Sequence, residues 1–171
     1  MATKTYDLIS RTEIISPVYS IDLGPIPQTY SQLLVRVLFS TTNLDNNLYL
    51  KVGFNNDTTT EVTQVYSRAQ SNSVTESTET TTDGSIVTQA RANFPIPAFA
   101  DFKLYDYSDT SSNKHGTYTF GFDVSSGDAE TGYGGFHWKN DNAITSMQLD
   151  STSGVDRFSY GTVISIYGIE A

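Results

Sequence analysis

The chain has 171 residues, no cysteine and a formal net charge of −9 at pH 7. Without cysteine it can form no disulfide, thiolate metal site or cysteine nucleophile, and the acidic balance argues against a nucleic-acid partner or an anionic membrane surface. Hydrophobic residues make up 37% of the chain, and the aromatic ones include 11 Tyr and 9 Phe. With its many Thr and Ser residues, this composition is typical of a β protein with polar loops and not of a disordered chain.

Length and hydropathy set the domain organisation that we expect. A chain of this length forms one domain with its own core. No apolar run approaches the ~18 residues of a membrane span, and the first ten residues lack the apolar segment of a secretory signal, so we expect a soluble product made in the cytoplasm. We predict an N-terminal arm over residues 1–11, without a strand partner, and a single domain over residues 12–171.

The first part of that domain alternates between apolar and polar residues. Alternation over residues 13–23 predicts a half-buried strand. Two further strands are predicted over residues 33–40 and 48–54. Leu34 and Leu38 make the second face of the earlier one apolar as well, which is typical of a strand covered on both sides.

The middle of the chain gives a weaker pattern. Residues 61–70 fit a helical turn as well as a strand, and residues 71–85, rich in Thr, Ser and Glu, predict a long exposed loop or an outer hairpin. A short strand is predicted over residues 85–93. The alternation is clearer again over residues 100–107 and 117–124, which we interpret as strands.

The C-terminal part contains a glycine-rich stretch and two apolar segments. We predict a loop over residues 125–135 and strands over residues 144–149 and 162–169. The last strand is apolar on both sides, which indicates a position inside a sheet with both faces covered. Eight or nine short strands and no helix longer than a turn predict an all-β fold, an antiparallel β-sandwich of the jelly-roll type with long polar loops.

Three segments carry a resemblance to a known family. They are IPQTY at residues 26–30, FNND at 54–57, and AITSM at 143–147 followed by IYGI at 166–169. In this order and spacing the chain resembles a family of small structural proteins of tailed-bacteriophage virions. The middle segment departs from the family pattern, because Asn56 stands where the family often has Gly.

The resemblance implies a jelly-roll-like sandwich and a location in the virion. The expected role is structural and depends on protein–protein contacts, either as a capsid decoration protein or as an accessory of the tail or a fibre. Expected partners are other virion proteins and further copies of the chain in a homo-oligomer. The alternative is a receptor- or carbohydrate-binding module on the virion that recognises a host surface glycan.

The sequence contains no motif for catalysis, phosphate binding or metal binding. His115 and His137 are the only candidates for a general base near neutral pH. We interpret His115 as solvated in a turn and His137 as partly buried at a sheet edge. Residues 123–130 could offer carboxylate oxygens to Ca²⁺, although solvated turn carboxylates are the simpler interpretation. We therefore expect no enzymatic activity, no cofactor and no metal.

Exposed apolar and aromatic side chains are the candidates for the expected contacts. On the outer faces of the sheets the candidates are Leu34, Leu38, Tyr105 and Tyr107. In the arm, where a neighbouring subunit would order the chain, they are Tyr6, Leu8 and Ile9. For a glycan they are Tyr105, Tyr107 and Trp138, with core packing as the competing interpretation of Trp138.

Overall fold

The computed structural model of the protein describes residues 6–42, 48–92, 96–123, 129–152 and 156–170. These ranges contain twelve strands, and they contain no helix long and apolar enough to cross a membrane. In chain order the strands are β1 (Asp7–Glu13), β2 (Ser20–Leu23), β3 (Gln32–Phe39), β4 (Leu48–Phe54), β5 (Val62–Gln70), β6 (Ser73–Thr81), β7 (Ser85–Ala92), β8 (Ala98–Tyr105), β9 (Lys114–Asp123), β10 (Ala129–Trp138), β11 (Met147–Ser151) and β12 (Val163–Ile169).

The strands form two antiparallel sheets. The larger sheet has eight strands in the order β1-β12-β3-β8-β9-β10-β5-β6, and the smaller has four in the order β2-β11-β4-β7. Apolar residues of both sheets join in one buried core, in which the Phe54 ring of the smaller sheet lies 5.3 Å from the Trp138 ring of the larger. The prediction of an all-β antiparallel sandwich is confirmed, with twelve strands where eight or nine were predicted.

Two hairpins account for the additional strands of the larger sheet. They are β5–β6 and β9–β10, which lie side by side because β10 also pairs with β5. When these four strands are set aside, β1 pairs with β12, β2 with β11, β3 with β8 and β4 with β7. A long antiparallel ribbon rolled up on itself, which is a jelly roll, has this nested pairing. The pairing outside the two hairpins is thus compatible with the predicted jelly-roll type, and the antiparallel sandwich itself is what the strands show.

The strands with clear alternation lie where the sequence predicts them. Every second residue of β3 and β4 is fully buried, from Leu33 to Phe39 and from Leu48 to Phe54. Residues 61–70 form a strand, β5, and residues 71–85 hold β6, so the second of the two predicted alternatives, an outer hairpin, is the one found.

The N-terminal prediction is wrong for the described part of the arm. Residues 7–11 belong to β1, which pairs with β12, and Ile9 packs against the core. Without β1, strand β12 would leave one row of backbone groups unpaired. The predicted strand over residues 13–23 is also wrong, because the chain leaves the larger sheet after Glu13 and enters the smaller at Ser20. Ile15 in the connection is 78% exposed.

The glycine-rich stretch predicted as a loop contains strand β10. Three inward aromatic rings of the β9–β10 hairpin each lie opposite a glycine of the other strand: Phe120 opposite Gly132, Tyr118 opposite Gly134, and Phe136 opposite Gly116. A Cβ at any of these glycines would overlap the opposing ring. The glycines therefore make room for aromatic side chains across the strand pair, and they do not mark a loop.

Strand β12 is paired on both edges, with β1 and β3, as predicted for a strand inside a sheet. Its inward Ile164 and Ile166 are buried. The prediction that both of its faces are covered holds only in part, because on the other side Ser165 and Ile169 are buried but Val163 and Tyr167 are half-buried. Apolar residues on that side belong to a surface of the protein.

Candidate interaction surface

The larger sheet presents one side to the core and the other side to solvent. Directly opposed residues of neighbouring strands point to the same side of a sheet, so the outward side chains form rows across the strands. We call this surface the outer face and define it by three rows. The apolar row is Val163, Leu38, Phe99, Gly121, Thr131, Ala69 and Val74. The charged row is Arg11, Ser165, Arg36, Asp101, Thr119, Tyr133, Ser67 and Glu76. The mixed row is Leu8, Tyr167, Leu34, Lys103, Thr117, Gly135, Val65 and Thr78.

The apolar row leaves large side chains in water. Leu38 and Phe99, which oppose each other on β3 and β8, are each 44% exposed, and Val74 on β6 is 72% exposed. The Phe99 ring lies over Gly121 of β9, and a Cβ at Gly121 would overlap this ring. At a strand spacing of ~4.8 Å the row is roughly 30 Å long, which is a length suited to contact with another macromolecule.

The charged row is fixed by one ion pair. Arg36 holds Asp101 through two nitrogen atoms, with Nη2 2.8 Å from Oδ2 and Nε 3.0 Å from Oδ1. This hydrogen bonding and charge raise the pKa of the Arg36 guanidinium, so the arginine stays charged. Towards the other end of the row Tyr133 is 64% exposed. The pair therefore places opposite charges next to the exposed apolar side chains of Leu38 and Phe99.

The mixed row brings the N-terminus onto the same surface. Tyr6 is 52% exposed, and together with Leu34, Arg36 and Tyr167 it borders a recess of about 390 Å³. Leu8 opposes Tyr167 and is 57% exposed. Tyr6 and Leu8 from the N-terminal segment, which the sequence predicts as contact residues, thus lie on the same surface as Leu34 and Leu38 of β3.

Two of the candidate residues from the sequence are buried. Strand β8 ends at Tyr105, and the left-handed backbone of Asp106 (φ 46°) turns Tyr107 inward, where its hydroxyl donates a hydrogen bond to the carbonyl of Pro27. Burial raises the pKa of the Tyr107 phenol. Trp138 is also fully buried against Phe54. Neither side chain is available to a partner or a glycan, and Ile9 likewise faces the core.

Tyr105 does lie on the solvent side, beside both histidines. His115 and His137 oppose each other on β9 and β10, and the Tyr105 ring stacks on His115 with centroids 5.6 Å apart. His115 is exposed as predicted, but in a strand and not in a turn, and His137 is half-buried inside the sheet. No group of three or more acidic or histidine side chains within the described ranges could hold a metal ion.

The loop considered for Ca²⁺ falls partly outside the described residues, since residues 124–128 are not among them. Of the flanking carboxylates, Glu130 is fully buried, which corrects its interpretation as solvated. It accepts hydrogen bonds from Arg91 at 2.9 Å and Arg68 at 3.2 Å. Arg91 also lies over the Phe122 ring, 4.9 Å from its centroid. The Glu130 carboxylate is therefore used to hold the β9–β10 and β5–β6 hairpins against β7.

The segments that carry the family resemblance interlock at one end of the sandwich. The Gln28 side chain donates hydrogen bonds to the carbonyls of Ile26 at 2.8 Å and Ile144 at 2.9 Å. The backbone N–H and the hydroxyl of Ser31 both reach the carbonyl of Ile169. The first segment and Ser31, the residue that follows it, are in this way tied to the third, and these contacts are structural.

The second segment is tied to the third by the side chain of Asn55. Its Nδ2 donates to the carbonyl of Ala143 at 2.8 Å, and its Oδ1 accepts from the N–H groups of Thr145 at 2.8 Å and Ser146 at 3.1 Å. Both Asn55 and Asn56 have a left-handed backbone with φ of 54°. Asn is among the non-glycine residues that adopt this conformation most readily, so the turn at Asn56 does not require a glycine.

Sequence reasoning missed the exposed Phe99, Tyr133 and Val65. Phe99 and Val65 lie on strands whose second face carries no regular apolar alternation, and Tyr133 is in the stretch predicted as a loop. Their common surface becomes visible only through the pairing of β8, β9, β10 and β5. In comparisons with known proteins, no family model matches the chain, and no curated protein and no solved structure is significantly similar to it.

Proposed function

We propose that this protein is a non-enzymatic structural component of a tailed-phage virion that acts through protein–protein contacts made by the outer face. The observation that carries the proposal is the exposure of Leu38, Phe99 and Val74 along one row of the larger sheet. Such a row is costly to leave in water and is a common feature of protein-binding surfaces. The contact could decorate the capsid or attach the protein to the tail or a fibre.

The sequence resemblance supports this proposal through the fold. Its motifs hold loops together through Gln28, Ser31 and Asn55, so they maintain the sandwich and perform no chemistry. The surface side chains lie elsewhere, on strands β3, β5, β6, β8 and β10. A fold maintained by the motifs can therefore present a partner-specific surface that the motifs do not encode.

The experiment that tests the proposal compares two exposed apolar positions. Leu38→Lys places a charge in the apolar row, and Ile15→Lys places one in the β1–β2 connection, off the outer face. We expect Leu38→Lys to abolish cosedimentation with phage particles that lack the protein, and Ile15→Lys to bind them like the native chain. Equal binding by both variants would show that the outer face is not the contact.

A second candidate function, glycan recognition, is favoured by one part of the same face. The exposed Tyr133 borders a recess of about 440 Å³ that Glu76 and Thr78 also line, and Gly135 leaves its floor open, since a Cβ there would have no neighbour within 3.7 Å. An aromatic ring beside hydroxyl and carboxylate groups suits a sugar ring. Binding of host-surface polysaccharide that Tyr133→Ala abolishes and Leu38→Lys preserves would establish this function.

A further inference from the structure

In the part of the chain that the structure describes, the two sheets end in four edge strands, and three of these are protected against pairing with another chain. Strand β2 has four residues, β1 is interrupted by a bulge between Leu8 and Ser10, and the pairing of β7 with β4 shifts register between Tyr49 and Lys51. Short strands and bulges are the usual means by which proteins protect sheet edges.

Strand β6 differs from the other three edges. It has nine residues, and all nine pair with β5 in an unbroken register after a two-residue turn. Its sequence, SVTESTETT, contains no proline and no lysine, and its β-branched threonines suit an extended strand. Within the described residues β6 pairs with β5 alone. One row of its backbone N–H and C=O groups is thus left for a further strand.

We propose that β6 pairs antiparallel with β6 of a second copy, so that the two larger sheets become one continuous sheet. The partner is a second copy because the strand is complementary to itself. A two-fold axis through Ser77 pairs all nine residues, with Ser73 opposite Thr81 and Val74 opposite Thr80. It also keeps the outer faces of both copies on the same side, as sheet pairing requires.

The charges on β6 select this register. With the axis at Ser77, Glu76 opposes Thr78 of the partner and Glu79 opposes Thr75, so no two carboxylates face each other. An axis through Glu76 or Glu79 would place like charges directly opposite, which is destabilising. The register with the longest ladder is therefore also one that separates the negative charges of a protein with a net charge of −9.

The pairing also extends the outer face. Val74, which is 72% exposed at the end of the apolar row, would contact the methyl group of Thr80 of the partner. The two outer faces would then form one surface with two-fold symmetry and twice the number of exposed apolar side chains. This inference concerns the edge of the sheet, and it does not depend on the virion role proposed above.

The test uses opposite charges at Thr78, an exposed position. In the proposed register, position 78 of each copy lies opposite Glu76 of the other copy. Thr78→Glu therefore creates two pairs of like charges across the dimer, whereas Thr78→Lys creates two pairs of opposite charges. We expect Thr78→Glu to raise the dissociation constant of the dimer by about an order of magnitude and Thr78→Lys to lower it similarly. Sedimentation equilibrium over a range of concentrations measures both, and circular dichroism checks that both variants are folded.

Thr119→Glu and Thr119→Lys are the matched controls, because Thr119 is exposed on the outer face in β9, away from the edge. Both should associate like the native chain. A native protein that is monomeric at all concentrations, or a dimer that responds equally to both Thr78 variants, would overturn the proposal. A dimer that responds to the Thr119 variants alone would place the contact on the outer face, and would also overturn it.

Discussion

Replacement of Asn55 by glycine should destabilise the protein strongly, although it changes no residue of the core. Asn55→Gly keeps the left-handed backbone but removes the hydrogen bonds to Ala143, Thr145 and Ser146. At about 0.5–1.5 kcal/mol for each bond, the free energy of unfolding should fall by about 2–4 kcal/mol. For a chain of this size that corresponds to a decrease in Tm of about 5–15 °C.

Asn56→Gly is the control within the same turn. Asn56 has the same φ of 54°, is exposed, and makes no side-chain hydrogen bond to the described residues. Its replacement should change the free energy of unfolding by less than about 0.5 kcal/mol. Thermal and urea unfolding of both variants measure the difference. If Asn55→Gly were as stable as Asn56→Gly, the side chain of Asn55 would not be what holds the second and third segments together.

Three further variants probe the core, the buried ion pairs and the acid stability. Ile166→Ala should cost about 2–5 kcal/mol in urea unfolding, because Ile166 is buried, whereas Ile15→Ala in the exposed connection should cost almost nothing. Glu130→Gln leaves two partly buried arginines without a carboxylate and should cost about 3 kcal/mol, again measured by urea unfolding. Burial raises the pKa of Asp57, but hydrogen bonds from Thr60, Thr59 and Asn140 outweigh it and hold this pKa well below its usual range. Since the charged form is the one stabilised, Asp57→Asn should be less stable than the native protein at neutral pH, and melting curves should show the difference shrinking as the pH falls below about 4.

The sequence predicts much of the fold where one residue in two is buried. In β3 and β4 alternation along the chain is sufficient, because each strand has one side in the core. It fails in the segment from Glu13 to Ser20, where the apolar residues Ile15 and Tyr19 remain exposed between two sheets. The alternation of apolar and polar residues continues there although the chain passes from the larger sheet to the smaller, and periodicity alone cannot detect such a passage.

The outer face was less predictable than the core. The sequence predicts Leu34, Leu38 and Tyr105 as outward residues, and it wrongly predicts the same for Tyr107, because the alternation does not continue past the end of β8. The left-handed backbone of Asp106 reverses the side on which Tyr107 lies. A single backbone conformation of this kind decides which aromatic residues reach solvent, and no pattern of side chains in the sequence encodes it.

The two neighbouring glycines Gly134 and Gly135 provide a last test of how β10 is built. Gly134 faces the core, and a Cβ there would overlap the ring of Tyr118 on the opposed strand, whereas Gly135 faces solvent and a Cβ would come no closer than 3.7 Å to its nearest neighbour. Gly134→Ala should therefore force the ring to move and cost about 1–3 kcal/mol. Gly135→Ala should be neutral or stabilise the protein by up to about 1 kcal/mol, because it restricts the unfolded chain. Urea unfolding of both variants gives the comparison, and equal stability would mean that the Tyr118 ring does not pack on Gly134.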